Sequence, residues 1–78
     1  MDANPDAVIA ANVKRLRDKR CFTQSQLAAL TGITRQHISN IERGRGNLTV
    51  GTLYGLARAL GCDVVDLIPI LQEAHKDV

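Results

Sequence analysis

Tryptophan is absent from this 78-residue sequence, and Phe22 and Tyr54 are its only aromatic side chains. With no run of β-branched alternation either, the chain lacks what a sheet protein would need. Cysteine is scarce: Cys21 and Cys62 stand apart with neither C-x-x-C spacing nor a disulfide framework. That usage fits a reducing cytoplasm and free thiols. No stretch approaches ~18 apolar residues, so no membrane span is expected. Met1 to Asp6 lack the basic and apolar segments of a secretory signal. A single domain is expected over 1–78, with its core in 5–68 and a tail in 69–78. A domain this small buries a modest fraction of its surface, which makes pairing with a second copy a reasonable expectation.

Charge of one sign is also lacking overall, since the formal net charge is only +2. Its distribution says more. From Lys14 to Arg58 nine basic residues face two acidic ones, Asp18 and Glu42, whereas the flanks carry six acidic residues against Lys76 alone. The pattern fits a middle that binds a polyanion, or simply a solvated basic surface.

Apolar residues recur at helical spacing throughout. A first helix is predicted to open at Asn4 as N-cap, with Pro5 at its first position, Ile9, Val13 and Leu16 as its buried stripe, and an end near Arg20 or Cys21. A second begins at Thr23, where Thr23-Gln24-Ser25-Gln26 reads as a capping box, and stops at Gly32. Thr34 caps a third, which turns Ile38 and Ile41 inward and ends at Gly44. Thr49 caps a fourth with Leu53, Leu56, Ala57 and Leu60 on its core face, closed by Gly61. Asp63 caps a fifth around Val64 to Ile68, and Pro69 either ends it or opens a last turn.

The informative stretch is Gln24 to Arg43. Two short helices meet across the turn Thr31-Gly32-Ile33. Ala28 sits where they cross, Gly32 supplies the positive φ of the turn, and Ile38 with Ile41 pins the third helix down. Counted from Gln24, these fall at positions 5, 9, 15 and 18 of a 20-residue unit, the spacing of a helix-turn-helix. At about 100° per residue, Gln36 and Arg43 point away from the core, Ser39 and Asn40 are nearly as exposed, and Arg35 lies on the flank. Arginine, glutamine and asparagine are the side chains that read base edges of duplex DNA, although any surface helix is polar on one side.

The sequence resembles the phage Cro- and repressor-type helix-turn-helix family, the XRE family. The resemblance runs from Ile9 to Leu60 and rests on Leu16-Arg17, Thr23-Gln24, Leu27-Ala28, Gly32-Ile33-Thr34, Ile38-Ser39-x-Ile41-Glu42-x-Gly44, Leu48-Thr49, Leu53, Leu56-Ala57 and Leu60-Gly61. It implies an all-α, compact five-helix fold of the lambda-repressor type and a symmetric dimer on a palindromic operator. Small members include phage repressors, antitoxins and restriction–modification controller proteins, and the Asn47-Leu48-Thr49 loop looks more like the last group. The resemblance assigns base reading to Arg35, Gln36 and Asn40, with Ser39 as a fourth. It assigns phosphate contacts to Gln24, Thr34, Arg43, Arg45, Asn47 and Thr49. Gln24 in this family also braces the first reader of the third helix. Arg17 and Glu42 match a structural ion pair between the first helix and the end of the third. Two positions depart from the family: Cys21 stands where glycine is frequent and Leu48 where proline is.

Val64, Val65, Leu67, Ile68, Ile70 and Leu71 are too many apolar residues for one short helix to hide, so they are expected at a two-fold dimer interface, against the blander reading of a tail packed on the fourth helix. His37 reads as a packed or phosphate-facing side chain, His75 as part of a polar tail, and Cys62 as a core filler with redox sensing as the alternative. No nucleophile, base and orienter share a meaningful spacing, so no enzyme, metal, cofactor or small-molecule ligand is expected. The expected function is a homodimeric DNA-binding transcription regulator in the bacterial or phage-infected cytoplasm, associated with the nucleoid, with its own promoter among its sites. The alternative is an antitoxin-type protein-interaction module in which DNA binding is secondary.

Overall fold

In the computed structural model, which describes residues 5–46 and 48–68, the chain forms four α-helices and one 3-10 turn. They are α1 (Pro5–Lys19), α2 (Gln24–Thr31), α3 (Arg35–Glu42) and α4 (Val50–Leu60), with the 3-10 turn at Val64–Asp66. No strand occurs among the described residues. Asn4, the expected first cap, lies outside them.

Local chemistry sets most boundaries. The Thr23 hydroxyl accepts from Gln26 N–H at 3.0 Å while the Gln26 side chain accepts from Thr23 N–H at 2.8 Å, so two otherwise orphaned donors are satisfied at once. Thr34 and Thr49 cap α3 and α4 through the hydroxyl alone, accepting from the N–H groups of His37 and Thr52. Gly32 and Gly61 end α2 and α4 in the left-handed conformation. α1 ends differently. Cys21 itself adopts φ +59, and Phe22 N–H reaches back to the Arg17 carbonyl at 3.1 Å. A side chain with a Cβ pays for that geometry where the family's glycine would not.

The core is one cluster: Ile9 and Val13 of α1, Leu27 of α2, Ile38 and Ile41 of α3, Leu56, Ala57 and Leu60 of α4, and Leu67. Leu16, Phe22, Leu53 and Cys62 pack against it half-buried. Each fully buried aliphatic side chain contributes roughly 1.5–3 kcal/mol over its exposed state. α3 is clasped between α1 and α2, so its orientation is fixed from two sides.

Two expectations are corrected here. The fifth helix is a 3-10 turn of three residues; Ile68 precedes Pro69, and the proline ring disfavours helical backbone in the residue before it. Leu67, expected at a dimer interface, is 0% exposed and belongs to the core. Its carbonyl accepts from Asn12 Nδ2 at 3.0 Å, which ties the turn to α1. Val64 and Ile68 pack half-buried against the same cluster, and Val65 is half-buried as well. Ile70 and Leu71 lie outside the described residues. Among the described residues, the large apolar side chains that do face solvent are Leu30, Val50 and Tyr54.

Candidate nucleic-acid interface

The interface candidate is α3 with the structures at its two ends. Its stiffness starts from Glu42, whose side chain is only 4% exposed at the end of the helix. A carboxylate cannot be buried cheaply without partners. Arg17 of α1 supplies two, with Nε donating to Oε2 at 2.6 Å and Nη2 to Oε1 at 3.0 Å. This fork-on-fork pairing also fixes the guanidinium plane. Arg17 Nη1 donates to the Phe22 carbonyl at 2.7 Å, so the same side chain holds the segment between α1 and α2. The hydrogen bond to Glu42 pushes the Arg17 pKa above its ordinary value, against the opposing effect of burial, with the charges of Glu42 and Asp18 adding to the rise.

Gln24, the first residue of α2, donates from Nε2 to Glu42 Oε1 at 3.1 Å. One N–H of Gln24, which the resemblance implied braces the first reader of α3, thus goes to the other end of that helix. A buried carboxylate oxygen is a strong acceptor for that N–H. α1, α2 and α3 thus converge on one carboxylate.

Around this anchor the expected contact residues fall as follows. Arg35 and Gln36 are exposed on the first turn of α3, and Asn40 follows one turn on, half-buried. Gln36 Nε2 donates to Asn40 Oδ1 at 3.4 Å. Thr34, Arg43, Arg45 and Thr49 are exposed, and Gln24 is half-buried. Asn47 lies outside the described residues. None of Arg35, Arg43 and Arg45 is paired with a carboxylate among the described residues, so their charge faces outward. Ser39 does not join the exposed set: it is 8% exposed. The apolar positions Ile38 and Ile41 understate the covered face of α3. Burial of Glu42 turns that face toward Ser39, three residues earlier on the same side.

One residue of the interface had no advance signal. Gly46 lies where the chain leaving α3 folds back on it, and a Cβ there would sit 2.6 Å from Ile41 Cγ1 and 3.1 Å from the Ile41 backbone. This contact lets the segment carrying Arg45 hug α3, and Arg45 N–H donates to the Asn40 carbonyl at 2.9 Å. No potential metal cluster of His, Cys, Asp and Glu occurs among the described residues, and no described helix is long and apolar enough to cross a membrane.

Two short helices at a tight turn, the second offering Arg, Gln and Asn to solvent, is the arrangement expected of a helix-turn-helix. The helix-turn-helix family HTH_3 matches residues 13–67, which include the whole of this arrangement. The chain belongs to that family. An HTH-type transcriptional regulator of Sinorhizobium fredii is 44% identical over 61 residues, covering 78% of this chain and 79% of the relative. Control protein C.SmaI of Serratia marcescens is 38% identical over 61 residues, covering 78% and 73%. Among solved structures, the restriction–modification controller protein C.AhdI of Aeromonas hydrophila superposes with a TM-score of 0.78 at 27% identity, over 81% of this chain and 96% of that one. As an HTH_3 protein of the XRE type, the chain is a DNA-binding transcription regulator. The Arg17–Glu42–Gln24 cluster lies wholly within the residues matched by the HTH_3 family.

Proposed function

We propose that this HTH_3 protein acts in the cytoplasm as a homodimer on a palindromic operator, with its own promoter among its sites. Arg35, Gln36 and Asn40 read bases in the major groove; Ser39, being buried, is left out. Gln24, Thr34, Arg43, Arg45, Asn47 and Thr49 hold phosphates on either side, helped by the partial positive charge at the start of α2 and α4. The observation that carries this reading is the pairing that ties the end of α3 to α1. A helix whose far end is locked by a buried bidentate pair keeps its readers in one register against the groove.

Dimerisation is assigned to the C-terminal segment, through Val64, Val65, Ile68, Ile70 and Leu71, without Leu67. A two-fold axis there sets the two recognition helices about 34 Å apart, one turn of the duplex. The small-regulator reading is supported by the similarity to a control protein and to a restriction–modification controller.

The test is binding to a fluorescent duplex carrying the upstream promoter region, against a scrambled duplex, across a salt series, with sedimentation of the free protein. The expected result is salt-sensitive binding with a preference of about 10³ or more for the promoter, and a dimer. Equal, weak binding to both duplexes overturns the autoregulatory reading and moves the protein-interaction alternative ahead.

A further inference from the structure

The basic residues of α1 fall on two sides of the helix. Arg17 faces α3, whereas Arg15 and Lys19 follow three and seven residues after Asn12, on the side that holds the Leu67 carbonyl. Arg20, just past the helix end, lies over the last turn of α4: a Cβ on Gly61 would sit 2.8 Å from its Cζ. The bare glycine leaves room for the guanidinium there, close to the negative end of α4. Arg15, Lys19 and Arg20 are exposed, and none is paired with a carboxylate among the described residues. None of the three is among the proposed DNA contacts, which leaves their charge without an assigned partner.

Lys19 and Arg20 border a groove of about 300 Å³ between α1 and the end of α4, whose other walls are Leu16, Leu60, Gly61 and Cys62. It offers an apolar floor beside two cations, the complement of a segment that carries an aliphatic side chain and a carboxylate. Leu71-Gln72-Glu73 carries both. The groove also adjoins the apolar stretch assigned to dimerisation, since Cys62 lies two residues before Val64. Two copies of that stretch joined across a two-fold axis perpendicular to it run antiparallel, so the end of one meets the beginning of the other. Glu73 follows the end, and the groove precedes the beginning. We infer that in the dimer each copy lays Leu71 and Glu73 in the groove of the other, Leu71 on Leu16 and Leu60, the Glu73 carboxylate between Lys19 and Arg20. Asp77 adds a second negative charge to the segment, and Lys76 opposes it. Asp63 and Asp66, whose charges also reach Cys62, do not line the groove, and the Asp66 carboxylate is turned to the Asp63 N–H at 3.0 Å. The inference rests on the proposed dimer through the C-terminal segment and names the ionic contact that closes it.

Sedimentation equilibrium of the full chain beside two charge-reversed chains tests it. One reversed chain carries Lys19→Glu with Arg20→Glu, the other Glu73→Lys with Asp77→Lys. In either alone, groove and segment have like charge, so the dimer Kd should rise by about ten-fold or more at low salt, and by less at high salt. Mixed, the two chains restore opposite charge at both contacts across the two-fold axis. A heterodimer close in affinity to the parent dimer should then form in preference to either homodimer, as read by native mass spectrometry. Circular dichroism checks that the surface variants stay folded. If both reversed chains dimerise as the parent does, the inference is overturned while the dimer stands. If each is weakened but the mixture shows no preference for the heterodimer, the exchange between copies is overturned in favour of a segment lying on its own groove. A parent chain that stays monomeric at every concentration overturns the dimer proposal as well.

Discussion

Replacing Glu42 by glutamine tests whether the buried carboxylate organises the domain. Glu42 accepts from Arg17 Nε, Arg17 Nη2 and Gln24 Nε2 at 2.6, 3.0 and 3.1 Å. In Glu42→Gln one of its oxygens becomes an amide nitrogen, so at least one of these contacts becomes donor against donor. The Arg17 side chain, 11% exposed, would keep the Phe22 carbonyl and a 3.5 Å contact to Asp18 but lose its buried counter-charge. Breaking a buried ion pair from one side costs roughly 3–5 kcal/mol, and the two remaining partners place this case near the lower end. A chain of this size has a total stability on the order of 5–10 kcal/mol, so the loss is a large share. With a urea slope of about 1 kcal/mol per molar, the midpoint of urea unfolding should fall by about 3 M at unchanged slope. A shift below about 0.5 M would refute the reasoning. The double variant Arg17→Met with Glu42→Leu removes both charges and should recover much of the loss, because no charge is left stranded. If it is as unstable as Glu42→Gln, the shape of the site rather than its charge carries the effect.

Cys21→Gly should stabilise the domain by about 1 kcal/mol, since Cys21 holds φ +59 without glycine's freedom there; the thermal midpoint should rise by about 4–8 °C, and an unchanged or lower midpoint would sink the strain argument. Gly46→Ala should cost about 1–3 kcal/mol because its Cβ would meet the Ile41 backbone, not just a movable side-chain tip; it should also weaken DNA binding on every sequence alike, and a variant as stable as the parent would show that the loop yields. Burial, with the charges of Asp66 and Asp63 adding and Arg20 and Arg15 opposing, pushes the Cys62 thiol up. Its alkylation rate should therefore climb at higher pH in the folded protein than in urea. The sign for stability follows: the folded state favours the neutral thiol, so this contribution holds below the ordinary thiol pKa and fades as pH rises through the raised value. A folded-state profile that matches the one in urea would refute it.

What the sequence disclosed and what it hid divide along the range of the interactions. Thr23, Thr34 and Thr49 as caps, and Gly32 and Gly61 as helix ends, depend on neighbours within four residues, and the structure has each of them in that role. The four-helix order followed from the same local signals. Ser39 was misjudged because a wheel built on Ile38 and Ile41 weighs only apolar residues, while a buried carboxylate widens the face that α1 and α2 cover. Leu67 was misjudged because one leucine in an apolar run looks like the next. The packing of the turn against α4, with Asn12 of α1 holding the Leu67 carbonyl, decides which of them faces inward. Gly46 and the Gln24–Glu42 bond join segments whose meeting no local pattern announces. The candidate readers were legible as residue types on a helix. The bond between Gln36 and Asn40 was not, since it depends on which rotamers the two amides adopt.

The amide of Asn12 and the guanidinium of Arg17 sit five residues apart on α1, about 7.5 Å along its axis, and hold different parts of the molecule. Asn12 grips the carbonyl of Leu67, and Arg17 grips Glu42 at the end of α3. α1 is in effect a drive shaft, keyed at one point to the turn that ends at Leu67 and at another to the end of α3. In a dimer joined through the C-terminal segment, the angle of each recognition helix would be inherited from the joint through this shaft rather than through a pliable linker. If the proposed dimer forms, such a coupling would leave little slack for half-sites set a base pair too near or too far.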